Sequence, residues 1–341
     1  MESTPYYHHD CGPPSNTLAM VLPVKEDINW EQYLCYPTPG PSPTSGDEDQ
    51  HFHYGAESSE DAHEHVLDET TTSTTFYPGA NTYHTPSDLV CLSSDMVAFY
   101  VHSELLLATS DNHFHSLLGG KNTTRLTVIH IPEQSPILNI ILHAVYGLSA
   151  TRYAPTFDEL SCAVDQLEVY GVHPSTEITT ASALHSTILL HAHVDPMKVY
   201  LLAAKHDIFD LAVSSSSHLL SFSLNDITDD IATRMGPIYM TRLFSLHRGR
   251  LVSLKRLLSS LPHLHPPSPK CSLKMQNTVA RAWKLASAYL LWQDRSDLSS
   301  SYIDSVFRSL PEHVSCELCK WAFQCHIQAM TAGWQNVKCT I

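Results

Sequence analysis

The chain has 341 residues, of which 43% are hydrophobic and 16% charged, and its formal net charge is −15. Residues 1–85 carry 14 acidic side chains and one lysine, a net charge of −13, while the remainder is close to neutral at −2. Non-specific binding to nucleic acid needs an excess of positive charge, so this balance argues against it. The apolar run 137–148 is too short to span a bilayer and contains Asn139 and His143.

The nine cysteines follow no regular spacing, and the first residues lack the apolar core of a signal peptide. We therefore expect an intracellular protein with reduced thiols, located in the cytoplasm, the nucleus or both.

Residues 1–85 are rich in Pro, Ser, Gly and acidic residues, which predicts a disordered acidic tail. Within it, the stretch "EDINWEQYL" (26–34) mixes acidic residues with Ile28, Trp30, Tyr33 and Leu34. Two interpretations remain open. The stretch is ordinary tail with incidental aromatics, or it folds onto the groove of a partner, as activation segments do.

The next elements alternate between strand and helix patterns. The β-prone runs 88–92 and 96–102 are joined by the polar turn 93–95, which predicts a hairpin. A Leu-rich helix follows, and "DNHFHSLL" (111–118) has helical spacing, with Ser110 or Asp111 available as a cap. A third strand is predicted at 126–132, and capped helices at 135–147 and 157–171.

Residues 86–172 resemble a BTB (POZ) domain. The resemblance rests on Asp88 at the first strand, His102 before the Leu-rich helix, the pair Ser110 and Phe114 before Leu-Leu, and the helix ending "ILHAVYG". Ser93-Ser94-Asp95 stands where the family has a Gly in the first turn. The resemblance implies an α+β fold, in which a small sheet is flanked by helices. It also implies that His102 belongs to a partly buried charged pocket, facing Asp88, or else caps and packs there.

The remainder is predicted to be helical, as a helical extension over 173–262 and a C-terminal helical segment over 263–341. In the extension we expect one helix over 196–213. A further helix should end at Gly236, and a long helix should follow over 237–261. More loosely, this region and its final "W-x-x-V-K" (Trp334 to Lys338) resemble fungal proteins that contain a BTB domain.

Three features bear on chemistry. No catalytic or nucleotide-binding motif is present, so we expect no enzyme, cofactor or small-molecule substrate. Cys316-x-x-Cys319 supplies two zinc ligands, which His313, Cys271, Cys325 or His326 could complete. However, Cys325 falls on the apolar stripe of Leu318, Trp321, Ala322 and Ala329, so plain helix packing without metal is favoured.

The third feature is a stretch with five basic residues and no acid: Arg242, Arg248, Arg250, Lys255 and Arg256. It is either a solvated helix face or a docking face for an acidic partner, including the chain's own tail, held by a salt-sensitive contact.

The sequence thus favours a non-enzymatic protein-interaction module. The resemblance implies dimerisation, with itself or another BTB protein, and recruitment of a cullin-type ubiquitin ligase. The alternative is a transcriptional co-regulator whose acidic tail acts as an activation segment. In neither case do we expect direct contact with nucleic acid or a membrane.

Overall fold

A computed structural model describes residues 70–119 and 126–341. They form a mixed α+β structure in which helices predominate over a small sheet. The predicted tail over residues 1–69, with the stretch 26–34, lies outside the described residues. Among the residues described, no helix is both long enough and apolar enough to cross a membrane.

The sheet has four strands in the order β1-β3-β2-β4. Their bounds are β1 Thr71–Thr72, β2 Leu89–Leu92, β3 Val97–Val101 and β4 Thr127–His130. The predicted hairpin is confirmed: β2 and β3 pair antiparallel, with Leu89 opposite Val101. β4 pairs parallel to β2 and β1 parallel to β3. The turn holds without glycine because the Ser93 side chain accepts a hydrogen bond from the Val97 N–H at 3.0 Å.

The predicted boundary of the tail at residue 85 is wrong. Phe76 is fully buried in the main core, and its ring packs edge-on against His143 and Tyr146. The Ser73 N–H also donates to the Ala98 carbonyl, which ties this stretch to the edge of β3. One aromatic anchor outweighs the polar composition around it, so deletion of residues 1–85 would remove part of the core.

The first set of helices packs on the sheet and on one another. It comprises α1 Ser103–Thr109, α2 Ser135–Val145, α3 Phe157–Val169, α4 Pro174–Glu177, α5 Ala183–Leu190, α6 Pro196–Lys205 and α7 Phe209–Ser216. α3 begins at a capping box in which Thr156 and Glu159 bond reciprocally. The single helix predicted over 196–213 is wrong: it is two helices, because the chain turns at Asp207 with a φ of 51°.

The second set is α8 Asp229–Ser259, α9 Leu273–Trp292, α10 Ser300–Arg308 and α11 Glu317–Gln335. α8 is broken at Gly236, whose φ of 70° suits a residue without a Cβ, and Pro237 starts the long second part as predicted. Met235 at the end of the first part, and Tyr239 and Leu243 at the start of the second, belong to the main core. Its far end belongs to a second core, with Leu254, Leu258, Trp283 and Phe323.

Candidate functional site

The junction between β3 and α1 is held by side chains that the sequence singled out. The carboxylate of Asp88 accepts hydrogen bonds from the backbone N–H of Ser103, at 2.8 Å, and from the Ser103 hydroxyl. His102 is buried and its backbone N–H donates to the Tyr146 hydroxyl at 2.9 Å. Its Nδ1 lies 2.8 Å from the same oxygen. The expectation that His102 faces Asp88 is therefore wrong. Tyr146 is the partner of His102, and Asp88 binds Ser103, the residue after His102.

Ser110 and Phe114 meet the end of α3. The Ser110 hydroxyl donates to the Tyr170 carbonyl at 2.6 Å and accepts from the Phe114 N–H at 2.7 Å. The Phe114 ring is fully buried and stacks on the Tyr170 ring, with centroids 4.4 Å apart. Burial raises the pKa of the Tyr170 phenol, whose hydroxyl also bonds to Glu133.

The prediction of a helix over 111–118 is wrong, because the backbone there is not right-handed. Residues His113, Phe114, His115 and Ser116 all have positive φ, between 52° and 62°. This is a left-handed turn, which side chains with a Cβ rarely adopt. The cap at Ser110 and the buried Phe114 ring hold it in place. Periodicity counts residues per turn and does not reveal the hand of the turn, so the apolar spacing gave no warning.

Two of the five residues predicted to form the basic face, Arg242 and Arg250, are not exposed. Arg250 is buried, and its guanidinium donates to the carbonyls of Ser296, at 2.6 Å, Val337, at 3.1 Å, and Lys338, at 3.2 Å. Arg242 is half-buried over the rings of Phe209 and Tyr239. Both arginines therefore make contacts within the fold and do not belong to an exposed face.

Three basic residues do remain exposed: Arg248, Lys255 and Arg256. Arg248 and Lys255 lie beside a groove of about 810 Å³ between α8 and the end of α9. The exposed apolar side chains of Phe244 and Val252 line the same groove. The groove also carries one exposed carboxylate, Asp294, so two cations against one acid leave a net positive charge that favours an acidic, apolar segment.

A second cluster lies at the start of α11. The ligand atoms of His265, Cys271, Cys316 and Cys319 all lie within 4.8 Å of one another. The Sγ atoms of Cys271 and Cys319 are 3.6 Å apart, and His265 Nε2 is 3.2 Å from Cys316 Sγ. We call these four residues the thiol cluster. Cys271 and Cys319 are buried, while Cys316 and His265 are partly exposed.

The charge state of the two α11 cysteines differs because their surroundings differ. Cys316 is the N-cap of α11, where the backbone N–H of Cys319 lowers the pKa of its thiol to about 7. Burial raises the pKa of the Cys319 thiol to about 12. One easily ionised thiol thus stands beside a buried neutral one.

The premise on which the sequence favoured plain packing is wrong. Leu318 and Trp321 are 64% and 66% exposed, and Cys325 is exposed too. The buried face of α11 carries Cys319, Phe323 and Ile327 instead. His326 bonds to the Ser260 carbonyl, away from the cluster. The spacing of residues 316 and 319 was the available signal, whereas His265 was not among the candidates.

Thiol reduction is likewise not uniform. Six cysteines in the described ranges carry free thiols, but Cys339 is disulfide-bonded. The expectation of reduced thiols throughout is therefore wrong at Cys339.

A buried histidine gives the main core a pH dependence. The side chain of His206 is 2% exposed, and its Nε2 lies 2.6 Å from Asp165 Oδ1. Burial lowers the pKa of His206, but the hydrogen bonds to Asp165 and Glu168 and the negative charges of both residues outweigh it, so the pKa is raised. Burial likewise raises the pKa of Asp165, but the bonds from His206 and Lys205 outweigh it and the pKa is lowered.

We therefore expect this pair to stabilise the fold most between about pH 4 and pH 6.5. The contribution of His206 is complete below its unfolded pKa and is lost as the pH rises through its raised folded pKa. The contribution of Asp165 is lost as the pH falls through its lowered pKa. Urea unfolding of Asp165→Asn across this range should show the largest deficit inside that window. Asp158→Asn, on the exposed face of the same helix, serves as the control. A deficit that stays constant to about pH 9 contradicts the linkage.

Comparisons with protein-family models, with curated proteins and with solved structures returned no significant match for this chain.

Proposed function

We propose that this chain is a non-enzymatic protein-interaction module, a BTB-type adaptor that associates through α1 and its surroundings. The observation that carries the proposal is the sheet: an antiparallel hairpin leads into α1, and the strand after it joins parallel to the first strand of the hairpin. This is the order of elements that the sequence resemblance implies.

The polar side chains at this sheet support a scaffolding role. Asp88 and Ser110 are engaged by backbone groups, and His102 Nδ1 is engaged by the half-buried Tyr146. Such bonds fix the junction between strand and helix. The geometry therefore favours a rigid platform for another protein.

The side chains of α1 offer a surface for association. Leu106 is fully buried, while the next residue, Leu107, is 38% exposed. Apolar side chains on an outward helix face are what a second protein, including a second copy of this chain, buries on binding.

The test is the molar mass of the full chain in solution, measured by light scattering. We expect a dimer, converted toward monomer by Leu107→Asp because a buried charge opposes association. Leu285→Asp places the same change on another helix, where the side chain is 72% exposed, and should leave the mass unchanged. A monomeric wild-type chain that also captures no cullin and no other BTB protein would remove the proposal.

The alternative, a transcriptional co-regulator with an acidic tail, is favoured by the groove beside Arg248 and Lys255. The segment 26–34 combines three acidic residues with four large apolar ones, which matches a groove with cations beside apolar walls. We propose that this acidic segment binds the groove until a partner competes for it.

Affinity purification with variants at each surface separates the two functions. An adaptor loses cullin or BTB partners with Leu107→Asp and keeps them with Arg248→Glu/Lys255→Glu. A co-regulator shows the opposite pattern, because the charge reversal releases the acidic segment to nuclear co-regulators. If neither surface variant changes the set of partners, both assignments fail.

A further inference from the structure

The thiol cluster has the composition of a closed metal site. It holds three sulfur atoms and one imidazole nitrogen, contributed by the loop before α9 and the start of α11. Thiolate and imidazole together select zinc among the common divalent ions, because hard cations such as Mg²⁺ and Ca²⁺ prefer oxygen. Four protein ligands leave no open position, which is the pattern of a structural site.

The distances fit a tetrahedron. A Zn–S bond of about 2.3 Å places two sulfur ligands about 3.8 Å apart. The Cys271–Cys319 pair is already at 3.6 Å, and no pair in the cluster exceeds 4.8 Å. Small side-chain adjustments therefore suffice to bring all four atoms to one ion.

The histidine is held in the form that ligation needs. His265 Nδ1 lies 2.6 Å from the Pro266 carbonyl, an acceptor that fixes the proton on Nδ1. Nε2 is then left with its lone pair, and it is this atom that approaches Cys316 Sγ. A bond from the outer ring nitrogen to a backbone carbonyl is the usual support of a zinc-bound histidine.

Hydrogen bonds fix the loop that carries two of the ligands, His265 and Cys271. Ser268 and Cys271 exchange backbone hydrogen bonds of 2.9 Å, closing a tight turn that presents the Cys271 thiol inward. Gln276, which is buried on α9, donates to the His265 carbonyl at 3.0 Å and lies 3.6 Å from Cys271 Sγ. These bonds hold the loop on α9 and so bring residues about 50 positions apart in sequence to one point.

We propose that His265, Cys271, Cys316 and Cys319 bind one structural zinc ion that ties the Pro-rich loop before α9 to the start of α11. The protons displaced from the ligand thiols pass to solvent when the ion binds, and no oxidation or reduction is involved. The ion would stabilise the second core, to which four helices contribute and in which the longest connection, between α8 and α9, carries two of the ligands.

The first measurement is the zinc content of the full chain, purified without chelator and with a reductant present. We expect about one zinc per chain in the wild type and less than about a tenth of that in Cys271→Ser/Cys319→Ser. The matched control is Cys162→Ser/Cys325→Ser, because both of these thiols are exposed and lie outside the cluster. The control should keep its zinc. Equal zinc content in both double variants would overturn the proposal.

The second measurement uses only the wild-type chain, so it tests the proposal even if the ligand variant does not fold. Wild-type chain stripped with chelator should take up Co²⁺ at a ratio of about one, with the visible and thiolate charge-transfer bands of a tetrahedral thiolate site. Its midpoint of thermal unfolding should fall on stripping and recover with zinc. A wild-type chain that contains no zinc as purified and develops no such bands with Co²⁺ shows that the cluster is ordinary packing of thiols.

Discussion

Replacement of Phe114 by alanine should reduce the free energy of unfolding by about 3–5 kcal/mol. The ring is fully buried and stacks on Tyr170, so it joins the turn after α1 to the end of α3. Alanine would leave a cavity there and expose one face of the tyrosine to it. Urea unfolding followed by circular dichroism gives the measurement.

The control for Phe114 is His113→Ala. His113 is exposed and lies in the same left-handed turn, with a φ of 56°. This change leaves the backbone requirement in place and removes only a surface ring, so it should alter the free energy by no more than about 0.5 kcal/mol. Near-equal losses for the two variants would show that the turn, rather than the buried ring, limits stability.

Replacement of Arg250 by alanine should cost about 3–5 kcal/mol. The guanidinium donates to three backbone carbonyls, of Ser296, Val337 and Lys338, and lies 4.3 Å above the Trp334 ring. Without it, the buried Ser296 carbonyl is left unpaired, and the partly buried carbonyls of Val337 and Lys338 lose their donor. Arg250→Lys keeps a positive charge but cannot reach the three carbonyls from one ammonium group, so it should recover less than half of the loss.

Arg248→Ala tests the same helix and the same charge two residues away. Arg248 is exposed, so its removal should change the free energy of unfolding by no more than about 0.5 kcal/mol. A small loss at Arg250, comparable to that at Arg248, would mean that water replaces the guanidinium at these carbonyls.

Local signals in the sequence explain where its predictions succeed. The hairpin follows from two β-prone runs around a polar turn, and the break in α8 follows from Gly236 and Pro237, whose backbone preferences act within a few residues. Asp195, directly before Pro196, caps α6 in the same local way, because its side chain accepts a hydrogen bond from the Lys198 N–H.

The failures share a different cause, which is contact between residues far apart in the chain. Nothing near Arg250 shows that the carbonyls of residues 337 and 338 will reach it, so a run of basic residues predicts a surface. The thiol cluster depends on the way the loop of residues 262–270 folds over α9, and a Pro-rich composition does not specify that path. Phe76 was assigned to the tail because the residues around it are polar.

The long part of α8 has a consequence for how the fold opens. Leu243 near its start is packed in the main core, and Leu258 near its end in the second. A helix in a protein owes most of its stability to tertiary packing, so losing either core removes the packing partners of one part of this helix. Amide hydrogen exchange at the two ends of the helix should therefore report one shared opening reaction. The two cores would then behave as one cooperative unit, although their buried residues form separate clusters.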